Sequence, residues 1–156
     1  MINKKIELIA YDFDGVLTDN RVLVDQDGKE AVFVNRSDGL AIFKIKELGI
    51  KQIIISTEKN PVVTARAKKL NIPVIQAVDD KRSVLENYLL EKNISKENVV
   101  FIGNDINDKE VMEYVGLSIA PADAAKEIKV IADMTVKTKG GYGVVRELLE
   151  LLSKKE

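Results

Sequence analysis

The sequence predicts an α/β fold, a doubly wound, Rossmann-like parallel sheet with helices on both faces. Short apolar runs rich in β-branched residues alternate with stretches of helical character, the pattern of parallel strands covered by helices. Three of those runs stop abruptly in polar turns, at Asp12-Phe13-Asp14-Gly15, Ser56-Thr57 and Gly103-Asn104-Asp105. Open α/β sheets bind ligands beyond the carboxyl ends of their strands, so these turns would converge. With 156 residues, the chain can bury a full core yet stays within the usual size of one domain, and residues 1–156 are read as a single domain.

Strands are predicted near Ile6–Tyr11, Lys51–Ile55, Pro73–Gln76, Asn98–Ile102, Leu117–Ala120 and Met134–Val136. Between them, helices are predicted near Gly39–Leu48, Pro61–Leu70, Lys81–Asn93, Asp108–Val115, Ala122–Ile131 and Val144–Ser153. Pro61 suits a first helical turn, because its missing N–H is one that a helix start leaves unpaired anyway. Ser95 followed by Glu97-Asn98 reads as a turn, and Gly49 and Asn71 read as helix ends before their strands. Residues 21–35 break the alternation. There Val22-Leu23-Val24, then Asp25-Gln26-Asp27-Gly28, then Ala31-Val32-Phe33-Val34 reads as a projecting β-hairpin with apolar residues on both arms. Isolated hairpins are marginal in water, so this one needs a surface to rest on, its own domain or another subunit.

Composition excludes several chemistries. Twenty-four basic residues nearly balance 25 acidic ones, which gives no global field to mark a nucleic-acid or membrane partner. Zero cysteines remove disulfides, thiol nucleophiles and thiolate zinc; zero histidines remove imidazole metal sites and triads. Acid–base work falls to Asp, Glu, Lys or Tyr. The first apolar run is too short for a secretory signal or a membrane span, and the protein is expected in the cytoplasm.

The chemistry sits at the strand exits. Asp12 and Asp14 are two residues apart where a buried strand ends, and Gly15 lets the backbone turn so that each carboxylate is re-aimed. A plain Asx-type turn would use the same residues, and the short motif alone does not decide. Three further signals follow in order: the hydroxyls Ser56-Thr57, Lys81 at a helix start, and the acidic turn Gly103-Asn104-Asp105-Ile106-Asn107-Asp108. Each has its bland reading as a strand-end turn, a solvated lysine beside Arg82, or a helix cap at Asp108. As an ordered set they are the parts needed for phosphoryl transfer through a carboxylate.

With that set, the chain resembles the haloacid dehalogenase superfamily of phosphatases. The match looks closest to its capless branch, which acts on phosphorylated eight- and nine-carbon sugar acids (3-deoxy-D-manno-octulosonate 8-phosphate and sialic-acid-type 9-phosphates). It rests on Asp12 to Asp19, Ser37-Asp38-Gly39, Gly103-Asn104-Asp105 and Gly140-Gly141-Tyr142-Gly143-Val144-Val145-Arg146-Glu147. The resemblance implies a Rossmann-like domain without a large cap and a Mg²⁺-dependent phosphatase, working through an aspartyl phosphate. It makes Asp12 the nucleophile and Asp14 the general acid and base, with Ser56 and Lys81 holding the phosphoryl oxygens. It implies that the hairpin helps to build a homotetramer whose neighbours close each pocket. It gives the metal the Asp12 carboxylate, the Asp14 carbonyl and a side-chain oxygen from the last motif.

That last motif departs from the family's usual Gly-Asp, because Asn104 follows Gly103. An amide oxygen still ligates Mg²⁺ but brings no charge, so Asn104 and Asp105 are both kept as candidates. Asp108 is read as orienting a water of the metal or Lys81. Four crowded carboxylates, at Asp12, Asp14, Asp105 and Asp108, would repel one another and take up protons unless a cation compensates, which itself favours a hard dication. For substrate selection the candidates are Thr57, Glu58, Arg66, Lys69 and Asp38; Arg66 and Lys69 are three apart and can share a helix face. A polar helix face would look the same. Arg36 and the Gly140–Gly143 loop leading to Arg146 are further candidates to close the other side.

Two other functions use similar parts. A phosphoacceptor receiver domain also gathers Asp, a hydroxyl and Lys around Mg²⁺, but it needs its phosphorylated Asp at a middle strand, where this chain has Ser56-Thr57. A catalytically weak oligomerisation scaffold, related to the domain fused to some sialic acid cytidylyltransferases, would retain the fold and lose the chemistry. Asn104 argues for it; the intact Asp12, Asp14 and Lys81 argue against it.

Overall fold

The central strand β1 (Leu8–Tyr11) is buried on both faces, with every residue sealed from solvent. Its neighbours in the computed structural model, which describes Ile2 and residues 4–153, are β4 (Lys51–Ile55) and β6 (Val99–Ile102), both parallel to it. Met1, Asn3 and residues 154–156, which the single-domain reading also spans, lie outside the described residues. Beyond β4 lies β5 (Val74–Ile75); beyond β6 lie β7 (Leu117–Ala120) and β8 (Met134–Thr135). The six-stranded order is β5-β4-β1-β6-β7-β8, all parallel. The chain builds outward from β1 on one side, then returns to build on the other. That reversal at β1 opens the crevice in which such sheets bind ligands.

The period of two along each strand divides the core. Ile9 and Tyr11 of β1, Ile54 of β4 and Val100 and Ile102 of β6 point to one face. There they meet Ala41, Ile42 and Ile45 of α1 (Arg36–Glu47), Val63 and Ala67 of α2 (Val62–Leu70) and Val144, Val145 and Leu148 of α6 (Val144–Ser153). Leu8, Ala10, Ile53, Ile55, Val99 and Phe101 point the other way, onto Leu85 and Leu89 of α3 (Lys81–Lys92), Val111 and Met112 of α4 (Lys109–Tyr114) and Ile128 of α5 (Lys126–Ile131). Strands buried on both sides must be apolar throughout, which is why these runs do not alternate.

The hairpin is present as β2 (Thr18–Val24) and β3 (Glu30–Val34), antiparallel, with Leu23 opposite Ala31. It starts at Thr18 rather than Arg21, because an irregular register between Thr18 and Val22, with Asn20 at φ 65°, lets the strand leave the turn after β1 directly. Val32 packs on the core, and Asn60 Nδ2 donates to Glu30 Oε2 at 3.2 Å, so the inner face of the hairpin rests on its own chain. Among the described residues it is the only β-structure outside the main sheet, and no large cap domain is present.

Other boundaries shift for local reasons. α1 begins at Arg36, not Gly39, because the Asn35 side chain accepts from Ser37 N at 2.9 Å and caps it. α5 begins at Lys126, not Ala122: the N–H groups of Ala122 and Ala125 donate instead to the Thr138 and Asn104 carbonyls. Pro61 caps α2 from outside, and Asn71 closes it in the left-handed conformation. No described helix is long and apolar enough to cross a membrane.

Candidate active site

β1 delivers Asp12, β4 delivers Ser56 and β6 delivers Asn104 to one end of the sheet, because Tyr11 is in register with both Ile54 and Ile102. Asp12 N donates to the Ile102 carbonyl at 2.9 Å, one last ladder bond before the turn. The Asp12 carboxylate is buried; it accepts from Phe13 N at 2.7 Å, and its Oδ1 lies 2.7 Å from Lys81 Nζ. Lys81, 2% exposed at the start of α3, also touches Asp108 Oδ1 at 2.6 Å. Asp108 Oδ2 accepts from Asn104 N at 2.9 Å and Asp105 N at 3.3 Å. Both oxygens of Asp108 are therefore engaged by protein groups. The ion pair with Lys81 is one of the two places read for Asp108 from the sequence.

Burial and neighbouring charge together explain the pKa shifts. Burial foremost, and then the neighbouring Asp108, push the Asp12 carboxyl well above its ordinary range, while Lys81 and the Phe13 N–H pull the other way. For Lys81, burial alone would lower the pKa, but the two carboxylates outweigh it and hold it above the ordinary value. One buried cation thus serves two buried anions, and the trio is one positive charge short.

The Asn104 side chain occupies the place where that charge belongs. One terminal atom of its amide stands 2.8 Å from the Asp14 carbonyl oxygen and 3.0 Å from Asp12 Oδ2. As nitrogen it donates to both; turned about, its oxygen completes a trio of oxygens, which only a cation between them stabilises. Ligand oxygens about 2.0–2.1 Å from Mg²⁺ in octahedral geometry lie about 2.9 Å from one another, which this spacing matches. The donor set fits a hard dication. Asp105 does not share the place: it is exposed and its Oδ1 accepts from Ile106 N at 2.8 Å. Gly15, at φ 82°, makes the arrangement possible, since a Cβ there would lie 2.0 Å from Asn104 Nδ2.

Asp14 turns toward the mouth, half-buried. Its carboxyl is raised by burial first; the Thr18 hydroxyl bond opposes this, and the charges of Glu58 and Glu30 add to it. Thr18 Oγ1 donates to Asp14 Oδ1 at 3.2 Å and accepts from Gly15 N at 3.2 Å. Ser56 is buried at the β4 exit, its Oγ accepting from Glu58 N at 3.1 Å. The Glu58 carboxylate accepts from Lys59 N and Asn60 N at the mouth. Asn107 Nδ2 donates to exposed Thr57 Oγ1 at 3.4 Å and joins the two exit turns.

Arg66, Lys69 and Asp38 are not drawn into this centre within the single chain. Arg66 is half-buried and donates to the Asn35 carbonyl at 3.0 Å; Lys69 is exposed in the last turn of α2. Asp38 is 1% exposed and accepts from Val145 N and Arg146 N, so it offers no surface to a substrate. Its place in the Ser37-Asp38-Gly39 motif reflects a helix cap. Thr18, Asn107 and Glu30 were not singled out from the sequence; only Thr18 had a signal, four residues after Asp14 on a turning backbone.

The profile of the haloacid dehalogenase-like hydrolases matches residues 40–148, and the chain belongs to that family. Within it the chain falls in the capless branch. It is 36% identical to the 3-deoxy-D-manno-octulosonate 8-phosphate phosphatase of Escherichia coli K12 over 150 residues, covering 96% of this chain and 80% of the relative. The Moraxella catarrhalis 3-deoxy-D-manno-octulosonate 8-phosphate phosphatase, in complex with a magnesium ion, a phosphate ion and the sugar acid, superposes with a TM-score of 0.91. There the identity is 31%, and the match covers 94% of this chain and 85% of that one. The cobalt-bound phosphatase of Haemophilus influenzae gives a TM-score of 0.90 at 27% identity, over 95% of this chain and 87% of that one.

Proposed function

We propose that this phosphoric monoester hydrolase releases phosphate from 3-deoxy-D-manno-octulosonate 8-phosphate, with Mg²⁺ as its cofactor. The observation that carries the reading is the Asp12 carboxylate, with one oxygen on Lys81 and the other facing Asn104 and the Asp14 carbonyl. The eight-carbon substrate is preferred because the relatives described above act on it; nothing in the comparisons favours the nine-carbon acids. The intact centre argues against a scaffold.

Asp12 attacks phosphorus in line, and the bond to the sugar oxygen breaks as the aspartyl phosphate forms. Asp14, half-buried at the mouth, gives a proton to the departing oxygen. Asp14 then takes a proton from the water that attacks the aspartyl phosphate, phosphate leaves and Asp12 is restored. In this reading Lys81 and the Ser56 hydroxyl offset charge on the phosphoryl oxygens. Asp12, the Asp14 carbonyl and Asn104 would hold the dication, which when bound supplies the missing positive charge and keeps Asp12 ionised.

A homotetramer is part of the proposal. Leu23 and Phe33, on the same outer side of the hairpin, are 65% and 70% exposed. A neighbour's hairpin would cover both.

Phosphate release from a panel of sugar-acid phosphates with Mg²⁺ tests the reading. Asp12→Asn is expected to abolish turnover, by at least about 10⁴-fold, with the circular dichroism spectrum unchanged. Unchanged turnover would overturn the nucleophile assignment. A receiver would instead keep the phosphate, and a scaffold would neither release nor hold it.

A further inference from the structure

We propose that Asp38 is a positioning residue for this centre: from α1 it fastens the start of α6, and with it the Gly140–Gly143 loop, against the turn that carries Asp12 and Asp14. The inference rests on the reading of that turn as a phosphatase centre.

Asp38 Oδ1 accepts from Val145 N at 2.9 Å and Arg146 N at 3.2 Å, two of the N–H groups that the start of α6 leaves without helical partners. Its other oxygen is buried without a partner, as is Arg66 Nε, whose guanidinium attracts it from α2 and donates to the Asn35 carbonyl at the hairpin exit. Burial pushes the Asp38 carboxyl up to about 6, against the Arg146 and Val145 N–H groups and Arg66. An acid held in so unfavourable a place calls for a reason. The loop just ahead of α6 supplies one.

Gly141 N donates to the Val16 carbonyl at 3.0 Å, and Gly140 N to Asp123 Oδ1 at 2.8 Å. A Cβ on Gly140 would lie 2.0 Å from the Gly15 carbonyl oxygen; one on Gly141 would lie 2.3 Å from Asp19 N. The loop therefore lies directly on the backbone between Asp14 and Asp19, the stretch that includes Thr18 and its bond to Asp14. Ser37 backs Gly143 from α1, where a Cβ would be 3.2 Å from its Oγ. Asp38 thus sets how firmly the loop presses on the residue that carries the proton, and a shift of about 1 Å in such a group can cost about a hundredfold in rate.

The test uses the full chain with Mg²⁺ and 3-deoxy-D-manno-octulosonate 8-phosphate, together with hydrogen exchange at the Gly141 amide. Asp38→Ala is expected to lower kcat at least about tenfold with KM within about twofold, and to speed Gly141 exchange at least about tenfold. Asp38→Asn keeps an acceptor oxygen for α6 and is expected to stay within about threefold of wild type on both measures. Gly140→Ala, which wedges a methyl between loop and turn, is expected to reproduce the kcat loss, and it carries the test should Asp38→Ala not fold. Faster exchange with kcat unchanged would sink the proposal, as would a rise in KM alone or full activity in Gly140→Ala. A wild-type chain that releases no phosphate would fail the phosphatase reading itself, which the wild-type control shows separately from the variants.

Discussion

Lys81 is shared between Asp12 and Asp108, all three buried, so its removal leaves two anions facing each other out of water. Lys81→Met is expected to lower the stability of the metal-free protein by about 3–5 kcal/mol in urea denaturation, with added Mg²⁺ recovering part of the loss. Asn104 presents the opposite case, a neutral side chain at the place we propose for the dication. Asn104→Asp is expected to tighten Mg²⁺ binding about tenfold in calorimetric titration, and to destabilise the metal-free protein by roughly 1 kcal/mol, because its donated hydrogen bonds become repulsion with Asp12. At this scale the sequence told which residue types met, but not which neighbour turned inward. Asn104 and Asp105 are adjacent on a turn, and only the backbone path after Ile102 points one at Asp12 and the other at solvent. Thr18 had only its spacing from Asp14 to mark it, since before folding it is otherwise one more β-branched residue beside an apolar run.

The hairpin shows what an element's pattern does and does not reveal. Apolar residues on both arms flanking a polar turn were legible, and the inner face did find a surface, through Val32 and Glu30. The base was not legible, because an irregular register leaves no trace in composition. The exposed outer face makes a separate prediction. Phe33→Lys is expected to shift the protein to smaller species in sedimentation velocity with its circular dichroism unchanged; an unaltered assembly would remove the hairpin from the interface. α5 carries a different lesson. Its first predicted turn holds good helix formers such as Ala122, Ala124 and Ala125, yet tertiary hydrogen bonds to the Asn104 and Thr138 carbonyls outweigh propensity and draw that segment toward the site.

Across the whole molecule, the order of the strands was not written in any one segment, yet alternating strands and helices with polar exits sufficed for the fold class, because a parallel sheet buried on both faces admits few alternatives. Global stability offers a test of the buried acids. The unfolded chain gives up the Asp38 proton near 3.8 and the folded chain near 6, so this group's contribution declines as pH rises between those values and is level above them. Comparison of wild type with Asp38→Asn isolates it from Asp12 and Asp14, which shift in the same direction. From pH 4.5 to pH 7, wild type is expected to lose about 2 kcal/mol relative to the variant in urea midpoints; parallel pH profiles would place the Asp38 carboxylate in a less hostile setting.

The shared register of Tyr11 with Ile54 and Ile102 makes the sheet a ruler for the chemistry. Each backbone step along a strand is worth about 3.3 Å, so deleting a single residue from β1, β4 or β6 would retract one instrument by more than the width of the seat it shares with the others. It would also turn that strand's side chains to the opposite face. Changes in length are therefore expected to be tolerated in what projects beyond the strand ends, whereas the three spans that carry Asp12, Ser56 and Asn104 must keep their register with one another.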